Sequence, residues 1–249
     1  MSDLIVSDDG PIRTLRMNRL AKKNALTPEM YAAMAAAIEE SGTNGAIRCL
    51  LIAGGPGSFC AGNDIGDFMK AADEGGALNR PSLRFLYSLV RCQKPLVAAV
   101  AGVAVGVGTT MLLHCDHVVA ATDARFSTPF VALGLTPEAA SSLIAPRLMG
   151  HANAFSLLVM GRPLDAGEAK ALGIVNTVVA AADVEAEAMK AARAISALPP
   201  EAVLAARRLL RGTGDEIIAR IDEEAEVFKA RLKSPEARTA FTGFLTRKR

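Results

Sequence analysis

Glu138 is the only acidic residue between Asp123 and Asp165, and the stretch around it, Phe126-Ser-Thr-Pro-Phe-Val-Ala-Leu-Gly-Leu-Thr-Pro-Glu-Ala-Ala-Ser-Ser142, is largely apolar. Whatever pocket this stretch lines has one local proton acceptor. Taking a carboxylate out of water disfavours its charge and raises its pKa toward neutrality, which makes it a better base for carrying a proton to and from carbon. Phe130, Leu133 and Leu135 would supply the apolar lining. The same residues also spell a helix start, with Thr136 as N-cap, Pro137 at the first helical position and Glu138 in the first turn, where the helix dipole would lower its pKa. The segment alone leaves both readings open.

A second kind of chemistry lies in two glycine-rich turns. One, Gly54-Gly-Pro-Gly-Ser-Phe-Cys-Ala-Gly-Asn63, follows the buried-strand pattern Cys49–Ala53, and the other closes the run Lys94-Pro-Leu-Val-Ala-Ala-Val-Ala-Gly-Val-Ala-Val-Gly-Val-Gly108. Such turns expose backbone N–H groups, and a converging pair of them can hold a developing oxyanion. They can also simply connect a strand to a helix. Gly106-Val-Gly108 lacks the third glycine and the spaced acid of a dinucleotide fingerprint. No phosphate-binding loop, serine nucleophile elbow or paired-histidine zinc motif is present. His114, His117 and His151 lack metal-ligand spacing and read as structural, so no metal is expected.

Bulk properties narrow the class. With 249 residues, 51% of them hydrophobic, the chain can build one sizeable core, packed by many small aliphatic side chains. Twenty-eight basic against 26 acidic residues leave a net charge of +2, too small a footprint for nucleic acid or an anionic membrane surface. Lys22-Lys23 and the tail Arg247-Lys248-Arg249 are local basic clusters that could meet phosphates or be plain solvated surface. Cys49, Cys60, Cys92 and Cys115 form no paired motif, which suits a reducing compartment. Without an export-type N-terminus or a long apolar span, a cytoplasmic, non-membrane protein is expected.

The pattern that must position these groups is mixed. Leu4–Ser7 and Ile12–Met17 read as a hairpin across Asp8-Asp9-Gly10-Pro11, and Pro28–Glu40 as a helix capped by Thr27. Short helices are expected over Ile65–Lys70 and Ser82–Cys92 with a polar loop near Asp73–Gly76, then a buried helix over Gly108–His114 and a strand over His117–Ala121. Beyond Ala152 the pattern is helical, over Ala152–Met160, Ala166–Leu172, Val184–Ala197, Pro200–Leu210 and Asp215–Lys233, with one strand within Val175–Val179. Alternation of strands and helices predicts an α/β core over 1–190, followed by a helical region over 191–249.

Four segments together resemble the crotonase, or enoyl-CoA hydratase/isomerase, superfamily. They are Asn18-Arg-Leu-Ala-Lys-Lys-Asn-Ala-Leu26, Ser58-Phe-Cys-Ala-Gly-Asn-Asp-Ile65, Lys94–Gly108 and Gly161-Arg-Pro-Leu-Asp-Ala-Gly-Glu-Ala-Lys-Ala-Leu-Gly-Ile-Val175, and they are collinear over almost the whole chain. The resemblance implies an α/β spiral of ββα units with a helical C-terminal trimerisation region, in a homotrimer or a dimer of trimers. It implies an acyl-CoA substrate and no separate cofactor, CoA being part of the substrate. The thioester carbonyl would sit between the backbone N–H groups of Asn63 and Val107. Ala25, Ala61, Gly62, Asp64, Ile65, Val105, Gly106, Phe130, Leu133 and Pro137 would line the substrate, with Lys22 or Lys23 near the CoA phosphates. Asp64 reads as a helix first-turn acid rather than a second catalyst.

Within that superfamily, hydratases use two glutamates, and this chain has Thr110 and Phe130 at the corresponding places. Glu138 falls instead where Δ3,Δ2-enoyl-CoA isomerases of peroxisomal type carry a single catalytic glutamate. Ala101 and Ala139-Ala140 depart from the usual Asn and glycine-richer segments of relatives, which bears on the shape of the acyl pocket. The expected activity is isomerisation of a 3-enoyl-CoA to the conjugated 2-enoyl-CoA. Another crotonase-type reaction, weak hydration included, and a non-catalytic acyl-CoA-binding module are the alternatives.

Overall fold

The computed structural model describes residues 2–64, 66 and 80–246. The opening alternation forms the expected hairpin: β1 (Leu4–Asp9) runs antiparallel to β2 (Ile12–Met17), with Leu4 opposite Met17 and Asp9 opposite Ile12. The helix Pro28–Thr43 follows, its first turn capped by the Thr27 hydroxyl, which accepts the Met30 N–H at 3.3 Å. From there the chain alternates between two layers. β3 (Cys49–Ala53), β5 (Leu96–Val100) and β7 (His117–Ala121) enter one sheet, while β4 (Ser58–Cys60), β6 (Val103–Val105) and β8 (Arg125–Ser127) enter another.

Among the described residues the first sheet has the order β1-β2-β3-β5-β7-β10 and the second β4-β6-β8-β9, where β9 is Leu164–Asp165 and β10 is Thr177–Val179. β3, β5 and β7 pair in parallel, as do β4, β6 and β8, so each turn of the chain lays one strand in each sheet. β3 and β5 are buried along their whole length. Burying a large aliphatic side chain is worth roughly 1.5–3 kcal/mol, so the chain enters the second sheet from fully buried strands.

The helix Val184–Ser196 packs across β3, β5 and β7, and the boundary expected near residue 190 falls inside it. The helix Arg80–Arg91 lies against Pro28–Thr43. The buried helix expected over Gly108–His114 divides into an α-helical turn, Val107–Thr110, and a tighter turn, Met111–His114. The helix Ser141–Met149 begins later than the start read at Thr136, and the helix Pro235–Thr246 is not expected from the pattern. Ile65, and the helix and loop expected over Ile65–Lys70 and Asp73–Gly76, lie outside the described residues apart from Gly66, as does the basic tail. No helix among the described residues is long and apolar enough to cross a membrane.

Candidate active site

β4 and β6 are parallel neighbours, Ser58 opposite Val103 and Cys60 opposite Ala104, so the turns at their C-terminal ends lie side by side. Glycine makes this approach possible. A Cβ on Gly108 would stand 2.5 Å from the Cys60 carbonyl oxygen, and one on Gly62, whose φ is 89°, would stand 2.9 Å from the Val105 carbonyl oxygen. In the first turn the Leu26 N–H donates to the Gly62 carbonyl at 2.8 Å and the Asp64 N–H to the Leu26 carbonyl at 3.1 Å, which leaves Asn63 facing the other way. In the second, the Gly106 N–H is tied to the Ser127 carbonyl at 2.8 Å, while Val107 opens a helix whose first N–H has no intrahelical acceptor. Among the described residues no acceptor meets the N–H of Asn63 or of Val107. The sequence-predicted pair thus sits on adjacent turns with both donors free.

Glu138 is buried, at 4% exposure, and its Oε1 has no hydrogen-bond partner among the described residues. Burial pushes its carboxyl up to about 8, and the nearby Glu224 carboxylate adds to the rise. The Thr110 hydroxyl opposes it weakly. Thr110 lies on the short helix that begins at Val107. The Glu138 charge also raises the Cys60 thiol, after burial and against the Gly62 N–H, and the Tyr31 phenol, after burial. These couplings put the carboxyl beside both glycine turns. Phe130 is buried, and its ring edge comes within 3.8 Å of where a Gly106 Cβ would lie. Leu133 and Leu135 are half-buried and buried, as an apolar lining requires.

The helix-start reading of this segment does not hold. Residues 135–138 are irregular, the Thr136 hydroxyl is buried without a partner among the described residues instead of capping, and the helix begins only at Ser141. The reason lies in Ala139 and Ala140, whose φ values of 61° and 54° are left-handed, a conformation that costs an L-residue roughly 1–2 kcal/mol. With no helix dipole at Glu138, burial decides its pKa.

Pro137 is half-buried in the same irregular stretch, and Ala25, Ala61 and Val105 are half-buried around the turns. Lys22 and Lys23 have exposed side chains, while the Lys23 carbonyl accepts the Ala61 N–H at 2.9 Å and the Ser58 hydroxyl at 2.8 Å, which puts both lysines beside the first turn. Asp64 binds Arg19 at 2.8 Å and accepts the Gly66 N–H at 3.0 Å; burial would raise it, but these two partners hold it below its ordinary value. It is occupied in holding the turn.

Three contributors were missed in the sequence. The Tyr31 hydroxyl donates to Asn63 Oδ1 at 2.5 Å and so fixes the first turn, yet in sequence it is one apolar-face residue of a helix. His114 is structural as expected, but its Nε2 meets the Ala139 carbonyl at 2.8 Å, directly behind Glu138. Burial lowers its pKa to about 4, so the ring is neutral and donates. Glu224 is a second buried carboxylate near Glu138, hidden in the charged run Asp222-Glu-Glu-Ala-Glu226. Both its oxygens are occupied by donors from residues 140 and 142. Its carboxylate is engaged in holding that turn.

Among the described residues no cluster of side chains could hold a metal ion. Two grooves of about 620 and 630 Å³ lie away from these turns, one between the helices Pro28–Thr43 and Arg80–Arg91, the other beside Pro200–Arg211.

A family model described as enoyl-CoA hydratase/isomerase matches residues 8–249. The chain is 34% identical over 252 residues to enoyl-CoA delta isomerase 2 of Rattus norvegicus, covering 98% of itself but 64% of that protein, so it spans just under two thirds of that relative's length. It is also 29% identical over 249 residues to 2,3-dehydroadipyl-CoA hydratase of Escherichia coli, covering 100% of itself and 97% of that protein. The solved structure of Pseudomonas aeruginosa OdaA superposes with a TM-score of 0.94 at 42% identity, over 98% of this chain and 99% of that one. Paired parallel layers built strand by strand, two abutting glycine turns and a match along nearly the whole chain lead to one conclusion: the protein belongs to the enoyl-CoA hydratase/isomerase family and has the crotonase fold.

Proposed function

We propose that the protein is an acyl-CoA isomerase that moves a 3-enoyl-CoA double bond into conjugation with the thioester. The observation that carries this reading is the single available carboxyl, Glu138, buried, pushed up to about 8 and set beside two turns with free N–H groups. A thioester makes its C2 protons acidic. Glu138 takes one of them, and the electron pair left on carbon spreads through the carbonyl and the double bond as a dienolate. The N–H groups of Asn63 and Val107 receive the negative oxygen, and losing one such donor typically costs about 3–4 kcal/mol of barrier. The proton then returns from Glu138 to C4, and the double bond ends between C2 and C3. One base serves both carbons if both lie within its reach.

Lys22 and Lys23 are proposed to meet the CoA phosphates, and the exposed Leu209 and Leu210, at 86% and 89%, suit the proposed trimer contact. The test is conversion of a 3-enoyl-CoA to the conjugated product by wild-type protein and by Glu138→Gln. Loss of about 10²–10⁴-fold in turnover with CoA-ester binding intact is expected, the range that general acid–base groups contribute. Near-full activity in the variant would sink the assignment.

A hydratase-named relative keeps hydration as the second reading. Against it stand Thr110 and Phe130 where the resemblance puts a hydratase's two glutamates, and Glu224 already accepting from Ala140 and Ser142, so Glu138 has no second free carboxylate beside it to share the handling of water. A panel of 2-enoyl-CoA esters followed for loss of conjugation separates the two.

A further inference from the structure

The turn that carries Glu138 is held from outside itself. Ala139 and Ala140, consecutive and buried, both adopt left-handed backbone that alanine resists. The helix Ser141–Met149 starts at Ala140, which has no side-chain acceptor to offer its first N–H groups. The acceptor comes instead from the helix Asp215–Leu232. Glu224 Oε2 accepts the Ala140 N–H at 2.6 Å, and Oε1 accepts the Ser142 N–H at 3.0 Å and the Ser142 hydroxyl at 2.5 Å. Arg220, one turn earlier, donates to the Ser142 hydroxyl oxygen at 3.2 Å. Behind the turn, His114 donates to the Ala139 carbonyl at 2.8 Å.

We propose that Glu224 is a positioning residue for Glu138: by gripping Ala140 and Ser142 through its two oxygens, it holds the left-handed turn that aims the Glu138 carboxyl at the two glycine turns. This rests on the reading of Glu138 as the base. Burial holds the Glu224 carboxyl above its ordinary value, while the donors at Ser142 and Ala140 and the nearby Arg220 oppose that rise. Its charge has a second effect, because after burial it is the largest contributor to the raised pKa of Glu138. Other titratable groups facing Glu138 are neutral across the working range: the Tyr31 phenol is held well above its ordinary value, the Cys60 thiol is pushed up to about 12, and His114, behind the turn, is lowered to about 4. Arg220 reaches Glu224 through Ser142.

The experiment compares Glu224→Gln, Glu224→Asp and Ala140→Gly, alone and as Glu224→Gln with Ala140→Gly. Glutamine keeps the shape but places a donor against a donor; glycine adopts the left-handed turn without a clamp. Glu224→Gln is expected to lower kcat at least tenfold with KM within threefold, and to move the midpoint of the pH–rate profile toward acid. Glu224→Asp and the added Ala140→Gly should each restore at least threefold of kcat. Unchanged kcat in folded Glu224→Gln, or a loss that neither variant restores, overturns the inference. If Glu224→Gln does not fold, Glu224→Ala with and without Ala140→Gly carries the same comparison, a rise of at least threefold in kcat on adding Ala140→Gly being expected, and equal kcat in the two overturns it. A titration of Glu138, read without substrate from the pH dependence of Tm with and without Glu138→Gln, separates this inference from the isomerase reading. If Glu138→Gln still isomerises 3-enoyl-CoA, the function falls, while an acid shift of that titration in Glu224→Gln still supports the clamp.

Discussion

A carboxyl that titrates near 8 has consequences for both rate and stability. On the proposed reading Glu138 must lose its proton in the free enzyme before it can take one from C2, so kcat/KM for a 3-enoyl-CoA should rise about tenfold per pH unit below that value and level off above it. A profile flat from pH 6 to 9 would contradict this. Stability runs the other way. A folded pKa raised above the ordinary 4.5 means that the folded chain binds the extra proton between 4.5 and about 8, so the contribution is whole below 4.5 and is lost as pH rises through that window. Glu138→Gln, which cannot charge, should therefore unfold at a higher temperature than wild type at pH 9 and at nearly the same temperature at pH 5, measured by thermal melts at matched ionic strength. The proposed base is then a group whose charge the fold disfavours at alkaline pH, a trade of stability for activity of the kind active sites make.

At the level of elements, the abutting turns after β4 and β6 are what the proposed chemistry needs held. Gly108→Ala would drive a methyl to 2.5 Å from the Cys60 carbonyl oxygen, and because that atom is backbone, one turn must move. Even 1 Å of misplacement can cost about 10²-fold in rate, so a loss of that order in kcat with the two sheets intact by circular dichroism is expected. Wild-type kcat would mean that the turns do not act as a pair. These turns were legible in the sequence because runs such as Leu50-Leu-Ile and Val97-Ala-Ala-Val are buried strands with glycine at their ends. β4, β6 and β8 were not, since three residues show no alternation. Thr136-Pro-Glu misled for another reason: local propensity favoured a helix, but the docked residues Glu224 and His114 hold Ala139 and Ala140 in a conformation their own side chains do not announce. Glu224 itself reads as solvated surface within an acidic run, and only the packing of Ile221, Phe228 and Leu232 on the same face of its helix turns it inward.

On the scale of the whole molecule, the C-terminal helices close over the segment that carries the base. Gly134, with φ of 72°, has room for no Cβ, because one would lie 2.7 Å from the Ala237 nitrogen, and Ala237 and Phe241 of the helix Pro235–Thr246 are buried. Arg231 reinforces the seam by donating to the Gly134 carbonyl at 3.2 Å. Gly134→Ala should lift that helix, admit water and lower the Glu138 pKa, moving the pH–rate midpoint toward acid. The left-handed strain of about 1–2 kcal/mol alone corresponds to a fall in Tm of roughly 2–8 °C for a chain of this size. An unmoved midpoint would show that the seam does not keep the site dry.

The bond between Ala140 and Glu224 also spans 84 residues of chain. A ribosome makes the glycine turns and Glu138 well before it makes Glu224, which grips the residues just after Glu138. A nascent chain halted short of residue 224 has both glycine turns and Glu138 but lacks the carboxylate that accepts the Ala140 N–H. If Glu224 positions Glu138 as proposed, catalytic competence arrives late in synthesis, only once the helix Asp215–Leu232 has docked.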